Sequence, residues 1–212
     1  MFGDTLGKAR EFAGLLASQG VSRGLLGPRE AGRIWERHLL NCAVVADLVP
    51  SRGELVDIGS GAGLPGVVLA MLRPGIRVVL LEPMLRRTRF LSECADSLEL
   101  ANVTVMRARA EDAAMAADVA TARAVAPLGR LAGWAAGLVR PGGVILAIKG
   151  QGAEDELRAA RPALRRLGVP SAEVLRVGHG RVVPATTVVR VVTGAHGREE
   201  QLGAHGSRPG VA

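Results

Sequence analysis

The chain has 212 residues, 48% of them apolar, which is enough for one α/β domain with short additions and excludes a mainly disordered protein. Its 27 basic and 20 acidic residues leave a formal charge of +7, a balance that favours polyanionic partners. With three Phe, two Trp and no Tyr, the core must be built from Val, Leu, Ile and Ala, and a module that stacks single-stranded RNA on aromatic rings is excluded.

In chain order, residues 4–19 show the apolar spacing of a short helix, with Leu6, Phe12, Leu15 and Leu16 on one side. Gly20 to Gly27 breaks that pattern, and a second helical pattern covers 29–48 and stops at Pro50. From Glu54 short apolar runs alternate with helical segments. Residues 55–58 predict a strand entering a glycine loop, 65–72 a helix with proline in its first turn, and 76–81 a continuously apolar strand. A helix over 85–100 would turn Leu85, Thr88, Leu91, Ala95 and Leu98 inward. Strands follow at 103–106 and 118–122, a helix at 128–139 ending before Pro141-Gly142-Gly143, a strand at 144–148 and a polar helix at 153–167. Two last strands, 172–177 and 186–192, have no helix between them.

This alternation predicts an α/β fold: a Rossmann-like, mostly parallel sheet with helices on both faces, an antiparallel C-terminal hairpin and a short N-terminal helical extension. Such a hairpin separates methyltransferases from dehydrogenases built on the same sheet. The expected divisions are a helical extension over 1–50, a cofactor-binding domain over 51–193, and a disordered tail over 194–212 rich in Gly, His and Arg. Cys42 and Cys94 lie far apart without metal-ligand spacing and read as buried thiols of a reducing compartment; no metal is expected. Lys8, Arg10 and Glu11 interrupt any apolar leader and no run is long enough to span a membrane, so a cytoplasmic protein is expected.

The most informative segment is Asp57-Ile58-Gly59-Ser60-Gly61-Ala62-Gly63-Leu64-Pro65-Gly66. Glycines let the backbone turn sharply against a ligand, and the helix that follows offers free N–H groups to an anion such as the carboxylate of S-adenosylmethionine. Gly61-x-Gly63-x-x-Gly66 also satisfies the dinucleotide fingerprint, which makes an NAD-dependent oxidoreductase the main rival. Asp57 tilts the choice, because a carboxylate there suits the cofactor's ammonium and not a pyrophosphate. So does the Gly59-x-Gly61-x-Gly63 spacing. The absence of tyrosine and the late positions of His179, His196 and His205 also speak against a dehydrogenase. Glu82, 19 residues beyond Gly63 at a strand end, can accept both ribose hydroxyls, and a backbone N–H at Ala110 or Glu111 can meet an adenine nitrogen.

These residues resemble the bacterial small-subunit ribosomal RNA methyltransferase G family, also called glucose-inhibited division protein B. The resemblance runs from Trp35 to Gly150 through Glu36-Arg37-His38-Leu39-Leu40-Asn41, the glycine loop with Leu64-Pro65-Gly66, Arg86-Arg87-Thr88-Arg89-Phe90-Leu91, Arg109-Ala110-Glu111, Thr121-Ala122-Arg123-Ala124 and Ala147-Ile148-Lys149-Gly150. The Asn-Leu-Thr segment that usually precedes the Arg-His motif is replaced by Gly27-Pro28-Arg29-Glu30. The resemblance implies S-adenosyl-L-methionine as cofactor and methylation of guanosine N7 in the 530 loop of 16S ribosomal RNA, within the 30S subunit, by a monomer. Its cofactor positions fall on Gly59, Leu64, Ala110, Glu111 and Arg123, beside Asp57, Gly61 and Glu82 read from the residues. Lys149, Arg123, His38 and Arg37 are candidates for substrate positioning, and Arg86, Arg87 and Arg89 for phosphate contact or a solvated face. A methyltransferase acting on another RNA or a small molecule remains the alternative within the fold.

Overall fold

The computed structural model describes residues 1–194; the expected tail, beyond Gly194, lies outside the described residues. The chain opens with α1 (Leu6–Leu15), continues through a wide turn at Leu16–Gly20, and reaches a second helical stretch that is not one regular helix. The expected helix over 29–48 is instead a 3-10 turn at Pro28–Arg33, a wide π turn at Ile34–Leu39, α2 (Leu40–Ala43) and another 3-10 turn at Val44–Leu48. Changing pitch lets the segment keep Leu39, Cys42, Ala43, Val45 and Ala46 all buried, which a uniform helix would spread round its axis.

Seven strands then form one sheet: β1 (Gly53–Ile58), β2 (Ile76–Leu81), β3 (Val103–Met106), β4 (Ala117–Arg123), β5 (Val139–Lys149), β6 (Ser171–Val177) and β7 (Thr186–Val192). Their order is β3-β2-β1-β4-β5-β7-β6, parallel except for β7, which runs antiparallel to both neighbours. The expected C-terminal hairpin is thus present. The crossovers are α3 (Gly66–Leu72), α4 (Leu85–Ser97), α5 (Leu128–Ala136) and α6 (Ala153–Arg166). After β3 the chain returns to the other side of β1, so connections diverge between β1 and β4. Their carboxyl ends border the crevice where ligands of this architecture bind.

Two details depart from the expected elements. Strand β5 begins at Val139, before the Pro-Gly-Gly turn; Ala117 pairs with Val139 and Val119 with Val144, so residues between them bulge out of the ladder. Gly143 is needed there, since a Cβ would lie 2.8 Å from the Asp118 carbonyl. On α4, Leu85 is 42% exposed and Ala95 half-buried, and the inward face is Thr88, Phe90, Leu91, Cys94 and Leu98.

Both faces of the sheet are covered, which is why its central strands read as unbroken apolar runs. One cluster joins Leu55 and Leu80 to α3, α4 and the N-terminal segment through Val67, Leu69, Phe90, Phe12, Leu16 and Leu39. The other joins Val56, Val79 and Ile145 to α5 and α6 through Leu128, Leu131, Leu157 and Leu164. The first 50 residues therefore share a core with the sheet. Phe12 is the deepest link: it is fully buried, and its ring tip would stand 3.2 Å from a Cβ on Gly63. Truncation of such a ring costs about 3–5 kcal/mol through lost burial and the cavity left behind. Phe12→Ala should accordingly lower the urea midpoint strongly with an unchanged m value; a midpoint within experimental scatter of the parent would show that the N-terminal segment is not part of the cooperative core.

Candidate functional site

The site grows out of the carboxyl end of β1. Register places Asp57 beside Leu80 on one side and Thr121 on the other. Its carboxylate is buried; Oδ1 accepts the Thr121 hydroxyl at 2.8 Å and Oδ2 accepts the Gly66 N–H at 3.1 Å. Burial pushes its pKa up to about 6, against the opposing pull of the Thr121 and Gly66 hydrogen bonds and the Arg123 charge. Asp57 thus braces the loop from below, and the direct ammonium contact expected from the sequence would need one of its remaining lone pairs.

The glycine loop closes over this strut. The N–H groups of Gly59 and Ser60 donate to the Leu81 carbonyl at 2.8 and 3.1 Å, tying the loop to β2. Gly59 adopts φ +66°, and a Cβ there would stand 3.0 Å from Val125 Cγ2. At Gly66 a Cβ would fall 2.3 Å from Leu80 Cδ2 and 2.6 Å from Asp57 Oδ2, so no larger residue fits. At the start of α3, two of the N–H groups expected to be free for an anion are already used, Gly66 N–H by Asp57 and Val67 N–H by the Gly63 carbonyl. Leu64, buried, follows the turn into Pro65.

Glu82, at the end of β2, is 1% exposed and faces the loop. Oε2 accepts the Gly61 N–H at 3.0 Å and lies 3.5 Å from Arg87 Nη1, while Oε1 accepts the Met84 N–H at 3.1 Å. Two predicted site residues, Gly61 and Glu82, are in direct contact. Ala110 is half-buried and Glu111 exposed in the turn after β3, where Asp112 N–H donates to the Arg109 carbonyl at 3.1 Å. Ala110 and Val125 pack against the same apolar cluster, which brings the β3 turn and the β4 loop to one border.

Arg123, the last residue of β4, reaches the N-terminal segment. One Nη contacts His38 Nδ1 and the other lies 3.7 Å from Cys42 Sγ. His38 is 6% exposed on its side chain, and its Nε2 sits 2.8 Å from Glu30 Oε2, close but poorly aligned for a hydrogen bond. Burial, then the Arg123 charge, hold the His38 pKa below its ordinary value, with Glu30 opposing. Cys42 is pushed up to about 11 by burial and remains a neutral thiol. Arg37 reaches outward to Glu30 Oε1 at 3.0 Å, the other oxygen of the carboxylate that faces His38. Asn41 instead accepts from the Thr186 hydroxyl at 3.2 Å, joining this segment to β7.

Lys149, at the end of β5, is 11% exposed on its side chain; Nζ donates to the Ala126 carbonyl at 2.9 Å and to Glu156 Oε1 at 2.7 Å. The same Glu156 oxygen accepts the Leu128 N–H at 2.7 Å, capping α5. Lys149 therefore holds the 124–127 loop, which contains Ala124 at φ +54°, and is not a free cation. Sequence reading missed Glu30, Thr121, Val125 and Glu156. Glu30 alone carried a local hint, its helical offset from Arg37.

Comparison with known proteins places the chain in a family. The profile of the family described as GidB, rRNA small subunit methyltransferase G, matches residues 5–182. A protein named ribosomal RNA small subunit methyltransferase G from Thermobifida fusca is 60% identical over 193 residues, 90% of this chain and 81% of that protein. Its namesake from Streptomyces coelicolor is 53% identical over 92% of this chain and 82% of its own length. Solved structures share the fold at low identity. A SAM-dependent O-methyltransferase from Thermotoga maritima aligns with a TM-score of 0.56 at 14% identity, over 73% of this chain and 64% of that one. Precorrin-6y C5,15-methyltransferase from Geobacter metallireducens gives 0.55 at 17% identity, over 79% and 89%. With a family profile spanning most of its length and relatives above half identity, the chain belongs to the rRNA small subunit methyltransferase G family.

Proposed function

We propose that the chain transfers the methyl group of S-adenosylmethionine to guanine N7 in the 530 loop of 16S ribosomal RNA, acting as a monomer in the cytoplasm on the RNA within the 30S subunit. The observation that carries this reading is the meeting of the glycine loop with the buried Glu82 carboxylate, beside Arg123 at the next strand end, in a chain of this family. Among the described residues no helix is long and apolar enough to cross a membrane.

The residues present fit the cofactor. A carboxylate offers about four lone-pair sites. Gly61, Met84 and Arg87 engage Glu82 on both oxygens, and Oε1 retains capacity for a ribose hydroxyl. Gly59 leaves space that a Cβ would fill against Val125. The backbone at Ala110 and Glu111 would meet the adenine edge, Leu64 would cover it, and Arg123 would face the cofactor's polar end. When bound, S-adenosylmethionine supplies an electrophilic methyl group on a sulfonium.

Guanine N7 presents a lone pair in the ring plane with no proton to remove, so no residue of the chain serves as a general base. Catalysis rests on alignment, with nucleophile and methyl carbon about 3–3.5 Å apart. The guanine gains positive charge as it reacts, so a free cation against N7 would oppose the step. The chain keeps its two nearby cations restrained: Glu156 and the Ala126 carbonyl hold Lys149, and His38 holds Arg123. Lys149 acts on the substrate through the loop it secures.

Radiolabelled S-adenosylmethionine incubated with unmethylated 30S subunits should place label in 7-methylguanosine on nucleoside analysis. Gly59→Asp should reduce transfer more than about a hundredfold, because its side chain meets Val125. Glu82→Gln should weaken S-adenosylhomocysteine about tenfold in calorimetry while preserving the fold. Label in another nucleoside would leave the fold and cofactor and reject the N7 assignment.

Asp57 yields a pH prediction. Its folded pKa, about 6, lies above the unfolded value of 3.8, so the native state holds this proton more tightly. That contribution to stability is complete below the unfolded pKa and disappears as pH rises through 6. Asp57→Asn removes the dependence, and its urea midpoint should gain on the parent's between about pH 5 and pH 7. Parallel pH profiles for the two proteins would refute a perturbed carboxyl at this position.

A further inference from the structure

We propose that Glu30 and His38 form a proton-sensitive bracket that sets the reach of Arg123 toward an oxyanion ligand, with Glu30 and His38 as positioning residues. This rests on the reading of Arg123 as part of the cofactor or substrate site.

Arg123 has five N–H donors, and guanidinium groups with restricted exposure ordinarily pair with carboxylates. Here its contacts are a histidine nitrogen and a thiol, and among the described residues it makes no ion pair. No carboxylate contacts it directly, although the buried Asp57 carboxylate feels its charge. A carboxylate in the place of His38 would hold the guanidinium as well but cancel the field it presents to a ligand. The ligand suited to such a cation is an oxyanion, either the cofactor's carboxylate or an RNA phosphate.

The bracket works in one protonation state. To accept from Arg123, His38 Nδ1 must carry no proton, so the neutral ring has its hydrogen on Nε2. Glu30 Oε2, 2.8 Å from Nε2, selects that tautomer electrostatically, and Glu30 is anchored by Arg37 through its other oxygen. The charged or titratable groups facing the ring are Arg123 from β4, and Glu30 and Arg37 from the N-terminal segment. Cys42, beside Arg123, stays neutral. Protonation of His38 would set an N–H against the guanidinium N–H and place two cations in contact. Arg123 would then leave its position. Burial and the two arginines keep the neutral ring in place below the ordinary histidine range.

The chain contains four histidines, which makes a direct test practical. Nitrogen-15 NMR of the intact protein should show His38 as the Nε2–H tautomer with a titration midpoint below the usual value. Glu30→Gln should lower that midpoint further, and Arg123→Gln should raise it. An Nδ1–H tautomer, or a midpoint indifferent to both substitutions, would overturn the bracket whether or not Arg123 touches a ligand. Binding supplies the second arm: S-adenosylhomocysteine affinity and 30S affinity are each followed as pH falls through the His38 midpoint. One of them should drop about tenfold in the parent, identifying carboxylate or phosphate as the ligand. His38→Asn, which keeps an acceptor at the δ position and cannot titrate, should lose that drop and keep only the pH dependence that Asp57, titrating near 6, imposes on both proteins. A parent profile matching that of His38→Asn for both ligands would overturn the proposal.

Discussion

A buried carboxylate holds the site in shape. Asp57 stands at the end of the central strand, accepts a hydroxyl from β4 and a backbone N–H from the first residue of α3, and thereby sets the distance between three elements. Burial of a charge is unfavourable, and its pKa near 6 measures that conflict. The hydrogen bonds from Thr121 and Gly66 offset part of that cost. Thr121 is fully buried for the same purpose, and Gly66 is restricted to glycine because the carboxylate lies where a Cβ would go. From this strut follow the angle at which the loop leaves the strand and the approach of Gly61 to Glu82.

The N-terminal segment is best understood as part of the site and not as an appendage. From below, Phe12 fills the space beneath Gly63. From the side, Glu30 and His38 meet Arg123, and Asn41 meets Thr186 of β7. Arg73, at the end of α3, donates to the carbonyls of Ala46 and Val49, so the segment's last turn is stapled to that helix as well. A crevice of this fold has one wall missing unless something is placed beside the ends of β4 and β5. Here that wall is made from the first 50 residues, which explains why they share a core with the strands.

The sheet and its hairpin were legible because they depend on local regularities. Continuous apolar runs mark strands covered on both faces, and helical spacing marks the crossovers between them. The glycine loop and Glu82 were legible because their chemistry restricts residue types. What escaped depends on distant pairing. Glu156 reads as an ordinary acidic residue in the first turn of a polar helix, and only the fold brings it to Lys149 and the start of α5. Thr121 reads as a strand residue until register places it next to Asp57. The start of β5 was missed because Pro141-Gly142-Gly143, normally a boundary, lies inside a bulged strand. Leu85 was assigned inward by periodicity, yet the helix begins beyond the core at that point and leaves it exposed.

The basic charge that the composition left open divides into paired and unpaired cations. Arg23, Arg37, Arg77, Arg140, Arg158, Arg181 and Arg190 are each paired with a carboxylate, and Arg87 and Lys149 lie against Glu82 and Glu156. Among the described residues, Arg10, Arg29, Arg33, Arg52, Arg86, Arg89, Arg107, Arg109, Arg130, Arg161, Arg165, Arg166 and Arg176 are exposed without such pairing, with Arg107 donating to the Pro83 carbonyl. Four of these, Arg86, Arg89, Arg107 and Arg109, lie in α4 or in the turn after β3, on the flank of the crevice that also carries Glu82. Paired arginines contribute little to the field at a distance, whereas unpaired ones on one flank add. The unpaired charge is spread over several elements, and these four arginines put part of it beside the crevice, where the counterions released by a polyanion strengthen its association.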